Sequence, residues 1–293
     1  MVADRVKSLR SGVPEPAKRQ IKGTLRAVRT VTSPVRVLPD FLIVGAQRAG
    51  TTSLHEALAQ HPSIGASDWK EVHYFDLNFG RGQSWYRSHF PTAATARLKR
   101  LRTGGFAAGE SSPYYLYHPS VPERAASTVP DARIIVILRD PVSRAYSHYG
   151  HEVKRGVEPL SFEAALDAEP ERLAGEESRL LADPLALSPA HQDFSYVGRG
   201  RYAEQIERWL RFFPREQILI VSSEQLFGDP AAVGAEVQSF VGVPVRTQTS
   251  YEHWNRIGQP AMEPHVRDRL TEEFREPNRR LYDLIGADLG WPA

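Results

Sequence analysis

Two short apolar runs stand out along the chain. Phe41–Ala46 and Arg133–Leu138 are strand-sized and nearly continuous in apolar residues. Gln217–Val221 has the same character. Between these runs the pattern changes to that of helices. Thr51–Gln60 places Leu54 and Leu58 at i,i+4 and stops at His61-Pro62. Residues 161–173, 200–213, 230–241, 264–275 and 277–286 are also predicted helices. In 200–213, Tyr202, Ile206, Trp209 and Phe213 share one face. Pro141 sits at the expected first turn of another helix. Continuous apolar strands alternating with helices predict an α/β fold of three layers, a central parallel sheet flanked by helices. Such sheets bind ligands beyond the carboxyl ends of their strands. The loops after Ala46 and Leu138 are therefore the places to search.

Composition narrows the chemistry. The chain has 293 residues and no Cys, which excludes disulfides, thiolate metal sites and a Cys nucleophile. No apolar run is long enough to span a membrane, and the N-terminus lacks the apolar centre of a secretory signal. The expected location is cytoplasmic, with a peripheral membrane contact as the variant. Charge divides the chain. Residues 1–37 carry nine Lys/Arg against Asp4 and Glu15, and Pro14, Pro16 and Pro34 interrupt them. We expect a flexible basic arm over 1–37 and one catalytic domain over 38–293. The domain then holds 28 basic and 33 acidic residues, so the net +2 belongs to the arm. That balance implies no nucleic-acid partner. The arm is a solvated tail or a membrane-surface contact.

The first loop runs Gly45-Ala46-Gln47-Arg48-Ala49-Gly50-Thr51-Thr52-Ser53 between a strand and a helix. Backbone N–H groups and the helix dipole at such a junction favour an anion. The spacing is that of a nucleotide P-loop, but Thr51 stands where a triphosphatase keeps its lysine, and the cation is Arg48. A ligand-free Gly-rich turn is the alternative. The second loop places Arg139 at a strand end and Ser147 about two helical turns later. An arginine fork plus a hydroxyl suits a terminal phosphate. The alternative is a surface ion pair between Arg139 and Asp140. Two anion sites at neighbouring strand ends fit one nucleotide with phosphates at both ends.

Together these motifs resemble the sulfotransferases that use 3′-phosphoadenosine 5′-phosphosulfate (PAPS), closest to soluble, bacterial-like members of the heparan-sulfate N- and 3-O-sulfotransferase type. Lys70-Glu71-Val72-His73-Tyr74-Phe75-Asp76, Gly109-Glu110-Ser111-Ser112-Pro113-Tyr114-Tyr115, Tyr202-Ala203 with Glu207-Arg208-Trp209-Leu210, and Glu276-Pro277-Asn278 with Leu281 to Gly286 carry the resemblance further. It spans roughly residues 39–291. It implies a P-loop-like fold and transfer of a sulfuryl group to a carbohydrate, glycolipid or small-metabolite acceptor, without a metal. By resemblance, Arg48 and Ala49, Gly50, Thr51, Thr52 and Ser53 hold the 5′-phosphosulfate, and Arg139 and Ser147 the 3′-phosphate. Arg256, in the loop Asn255–Pro260, adds a cation to the nucleotide. Glu71 takes the place of the catalytic glutamate, with Lys70, His73 and Ser111 toward the acceptor. The chain departs from the family pattern where Arg48 and Ser111 replace lysines. Glu71 can also be read as an ion-pair partner of Lys70, and His73 as the base. An ATP-dependent phosphotransferase and a non-catalytic nucleotide-binding relative are the competing functions. Acceptor choice is expected from residues 76–104 and 174–200, whose aromatics Trp85, Tyr86, Phe194 and Tyr196 are either core or sugar-stacking surfaces.

Overall fold

The computed structural model describes residues 29–248, 250–252, 258 and 260–293. In chain order the elements are β1 (Phe41–Gly45), α1 (Thr51–Ala59), β2 (Ile64–Ala66), α2 (Gly82–Arg87), α3 (Ala93–Thr103), β3 (Ala107–Ser111), α4 (Val121–Thr128), β4 (Arg133–Leu138) and α5 (Pro141–Arg155). There follow α6 (Phe162–Leu173), α7 (Glu176–Ala182), α8 (Pro189–Asp193), α9 (Tyr202–Leu210), β5 (Ile218–Ser222), α10 (Ser223–Gly228), α11 (Pro230–Phe240) and α12 (Pro264–Ile285). The five strands form one parallel sheet in the order β2-β3-β1-β4-β5.

The three predicted strands are β1, β4 and β5. All five residues of β1 are buried, as are all of β4 except its first. A strand covered on both faces has no reason to alternate, which is why apolar continuity marked them. Because β1 is central, with β3 and β4 beside it, the crevice beyond its carboxyl end lies where the strand order reverses. A second apolar cluster joins Val142 and Ala145 of α5 to Phe162, Tyr196, Leu270 and Phe274, which fixes α5 and α12 beside that crevice.

Two expectations change. The helices predicted at 264–275 and 277–286 are one, and α12 runs through Pro277. Its buried stripe, Val266, Leu270, Phe274, Asn278 and Leu281, continues on both sides of the proline, so packing outweighs the missing backbone bond. Residues 29–37 of the expected arm are packed on the domain. Arg29 Nε donates to the Ser88 carbonyl at 2.8 Å, Arg36 to that of Phe90 at 2.6 Å, and Val37 N to that of Pro91 at 3.1 Å. The rest of the arm, residues 1–28, falls outside the described residues. No described helix is long and apolar enough to cross a membrane.

Candidate functional site

The loop after β1 turns on Gly50, whose φ of 103° suits glycine, and a Cβ there would lie 3.0 Å from Leu226. Gly50 caps α1 without a side chain, so the first-turn N–H groups are the donors that face an incoming anion. Thr51 and Thr52 line the adjacent cavity with Gln47 and Arg48. Ala49 is fully buried beneath the loop. Ser53 turns its hydroxyl away, donating to the Glu252 carbonyl at 2.5 Å, so only its backbone is available to a ligand.

The two anion elements meet. Arg48 Nε donates to Ser147 Oγ at 3.0 Å, and an Arg139 Nη donates to the Arg48 carbonyl at 3.0 Å. Arg139 is therefore not spent on Asp140. That carboxylate instead caps α5, accepting from the N–H groups of Val142 and Ser143. Arg256 lies outside the described residues.

Glu71 lines the same cavity. Its N–H donates to the Ser111 carbonyl at the end of β3. Lys70 Nζ lies 2.7 Å from Oε1 and His73 Nε2 3.5 Å from Oε2, while His73 Nδ1 lies 2.7 Å from Asp76. The expected pair with Lys70 is present, and the carboxylate still lines the cavity. Burial works against its ionisation, but His73 and Lys70 outweigh burial and hold it at about 2. Burial likewise opposes charge on His73, but Asp76 and Glu71 push it up to about 10. At neutral pH Glu71 is thus ionised, and His73 is a charged neighbour 3.5 Å from its carboxylate. With Glu71 as base, turnover should stay level between about pH 5 and about pH 8. A rate climbing tenfold per unit toward pH 10 would instead assign the base to His73.

A buried network holds this loop. Ser112 Oγ accepts from His73 N and donates to Glu110. Tyr115 Oη accepts from Tyr74 N at 2.7 Å and donates to the same carboxylate, and Tyr86 Oη donates to it at 2.5 Å. Burial pushes the Glu110 carboxyl up to about 7 against these three donors. Glu110→Ala strands three buried hydroxyls and should lower unfolding free energy by about 3 kcal/mol, read from denaturant melts.

Among the described residues, only Arg48, Glu71 and His73 combine a side chain with positive φ, at 73°, 61° and 51°. All three line the cavity, which has a volume of about 320 Å³. Strained backbone concentrated at one cleft marks a functional site.

Other assignments move. Ser111 is wholly buried within β3 and is not among the residues that line the cavity. Nothing from 76–104 lines it either. Tyr86 and Tyr196 are core, while Gln192, Asp193 and Arg199 line the cavity with Glu71. Arg199 is buried, bonded to Gln47 and to the Gln192 carbonyl, and lies over the Tyr114 ring at 4.7 Å. Its only sequence mark is the flanking Gly198 and Gly200. A Cβ at these positions would meet Tyr117 at 2.6 Å and Phe274 at 2.5 Å.

A protein-family model described as a sulfotransferase domain matches residues 38–265. Human (Homo sapiens) heparan sulfate glucosamine 3-O-sulfotransferase 6 is 31% identical over 280 residues, covering 87% of this chain and 74% of that protein. Human bifunctional heparan sulfate N-deacetylase/N-sulfotransferase 3 is 39% identical over 216 residues, which is 70% of this chain and 22% of that longer protein. A sulfotransferase from Alicyclobacillus acidocaldarius, solved by crystallography, shares the fold with a TM-score of 0.61 and 34% identity, over 86% of this chain and 98% of its own. The family match takes in both anion elements, the Glu71 loop and every strand of the P-loop-like sheet. With heparan sulfate N- and 3-O-sulfotransferases among its relatives, this chain is an enzyme of the sulfotransferase family.

Proposed function

We propose that the enzyme moves the sulfuryl group of PAPS to a hydroxyl or amine of a carbohydrate-type acceptor. The observation that carries this is the convergence of Arg48 and Glu71 on one cavity at the sheet's carboxyl end. The first is a permanent cation in an anion-binding loop, the second an ionised carboxylate lining the same cavity. The relatives' names, heparan sulfate 3-O- and N-sulfotransferases, support the carbohydrate class.

In this scheme the N–H groups from Ala49 to Ser53 and the hydroxyls of Thr51 and Thr52 hold the 5′-phosphosulfate. Arg139 and Ser147 hold the 3′-phosphate. The acceptor oxygen or nitrogen attacks sulfur in line with the bond to the bridging phosphate oxygen. That bond breaks as the new one forms, and its electron pair leaves with 3′-phosphoadenosine 5′-phosphate (PAP). Arg48 stabilises the charge growing on the leaving phosphate. Glu71 takes the acceptor's proton. His73, held by Asp76, and Lys70 orient Glu71. The side chains that fit the nucleotide are the uncapped α1 terminus with its two hydroxyls and the Arg48–Ser147–Arg139 unit.

Thermal shift tests the nucleotide. PAP should raise the melting temperature and ATP–Mg²⁺ should not, since a bound ligand stabilises the folded state. A shift with ATP–Mg²⁺ alone would return the chain to the phosphotransferases. Ser147→Ala should raise the KM for PAPS about tenfold while changing kcat little, because its hydroxyl binds and does not react.

A further inference from the structure

We propose that α3 forms a peripheral docking surface for an anionic lipid bilayer, distinct from the catalytic cavity. Helix α3 is built inside out. Its inward face is Ala96, Lys99 and Thr103. Ala96 is buried, Lys99 Nζ donates to the Ile64 carbonyl at 2.6 Å, and Thr103 Oγ1 accepts from Ser63 Oγ at 2.8 Å. At 100° per residue the opposite face carries Ala94, Arg97, Leu98 and Leu101. Leu98 is 47% exposed and Leu101 76%. Arg100 and Arg102 flank them, both exposed. A surface helix ordinarily turns its leucines to the core; this one turns them to the outside. The helix is anchored at both ends, by Thr92 at its N-cap and Gly104 in the left-handed region beyond its C-terminus, so the orientation is set by the fold.

Charge chooses the occupant. Residues 77–109 contain six Lys/Arg and no Asp or Glu, whereas residues 38–293 as a whole carry an excess of five acids. A basic strip in an acidic domain selects an anionic surface. Arginines alone would serve any polyanion, but a polyanion has no use for Leu98 and Leu101. A bilayer interface takes both groups, leucines among the acyl chains and guanidiniums at the phosphates. The apolar edge continues past the helix. Pro244 packs on Gly105 at the end of α3, and the next residue, Val245, is 53% exposed. At the other end, Arg36 bridges to Thr92, with Val35 exposed beside it. Seven more cations precede Arg29 in the sequence, against Asp4 and Glu15. No residue of α3 lines the catalytic cavity.

The test is co-sedimentation of the full chain with vesicles of phosphatidylcholine, with and without about 30% phosphatidylglycerol. The wild type should sediment with the anionic vesicles and stay in solution with the neutral ones. Leu98→Ser/Leu101→Ser should weaken that binding about tenfold, and Arg97→Gln/Arg100→Gln/Arg102→Gln by at least as much. Both variants should keep the wild-type melting temperature and PAP-induced shift, because the changed side chains are exposed and outside the cavity. Equal binding to neutral vesicles overturns the proposal. So does full binding by the double serine variant, whether the arginine variant loses it (a polyanion or protein surface) or keeps it (binding through residues before Arg29).

Discussion

Arg48→Ala is expected to lower kcat by about 10³-fold at saturating PAPS, with PAP binding weakened far less. The side chain donates to Ser147 Oγ and sits in the cavity-lining loop proposed to hold the phosphosulfate, so on that proposal its loss removes charge stabilisation that grows only as the bond breaks. Lysine at this position keeps the charge but loses the planar fork that reaches Ser147, so Arg48→Lys should recover part of the rate. Single-turnover transfer followed by mass spectrometry measures both. A kcat within tenfold of wild type for the alanine variant would remove Arg48 from the chemical step.

Glu71→Gln should cost about 10²- to 10⁴-fold in kcat, the range usual for a positioned general base. The amide is the same size, and Lys70 and the Ser111 carbonyl keep their places around it, so the nucleotide should still raise the melting temperature as it does in the wild type. The rate separates the base from a mere structural partner of Lys70: a structural role alone would lower the melting temperature and spare the rate, whereas a base lowers the rate of the folded, nucleotide-binding variant. Near-normal turnover with a normal PAP shift would overturn the assignment. The charge pattern also sets a pH range for stability. Glu71 contributes stability above its unfolded value near 4.5, lost as pH falls toward about 2. His73 contributes below its unfolded value near 6.5, lost as pH rises through about 10. Both contributions are complete together between those unfolded values.

Much of this was legible in the linear pattern, for reasons that also explain the gaps. Strands β1 and β4 are buried on both faces, so apolar continuity sufficed. Strand β3, Ala-Ala-Gly-Glu-Ser, gives no such sign. It is a strand because β1 and β2 pair with it, and Gly109 is required because the Phe41 ring would lie 2.2 Å from a Cβ there. That contact exists only after the sheet forms. Arg48, Glu71, Arg139 and Ser147 could be picked out because each sits at a fixed offset from a strand end or a motif. Arg199, Asp193 and Gln192 were reached only as members of the span 174–200, because the third dimension alone brings those three side chains into the cavity that Glu71 lines. For Ser111, adjacency to Glu110 in a motif says nothing about which side of a strand faces the cavity, and its side chain is buried.

The left-handed backbone at Arg48, Glu71 and His73 sets two kinds of fitness against each other. Glycine would relax each position by about 1 kcal/mol, yet each side chain is one that the proposed reaction uses. At 71 and 73 the ion pairs with Lys70 and Asp76 outweigh that relief, so a library of variants sorted for heat resistance alone should keep Glu71 and His73 and accumulate glycine at 48, where its most durable members should be its least active. Position 48 is the strained site where a gain in durability is set directly against turnover.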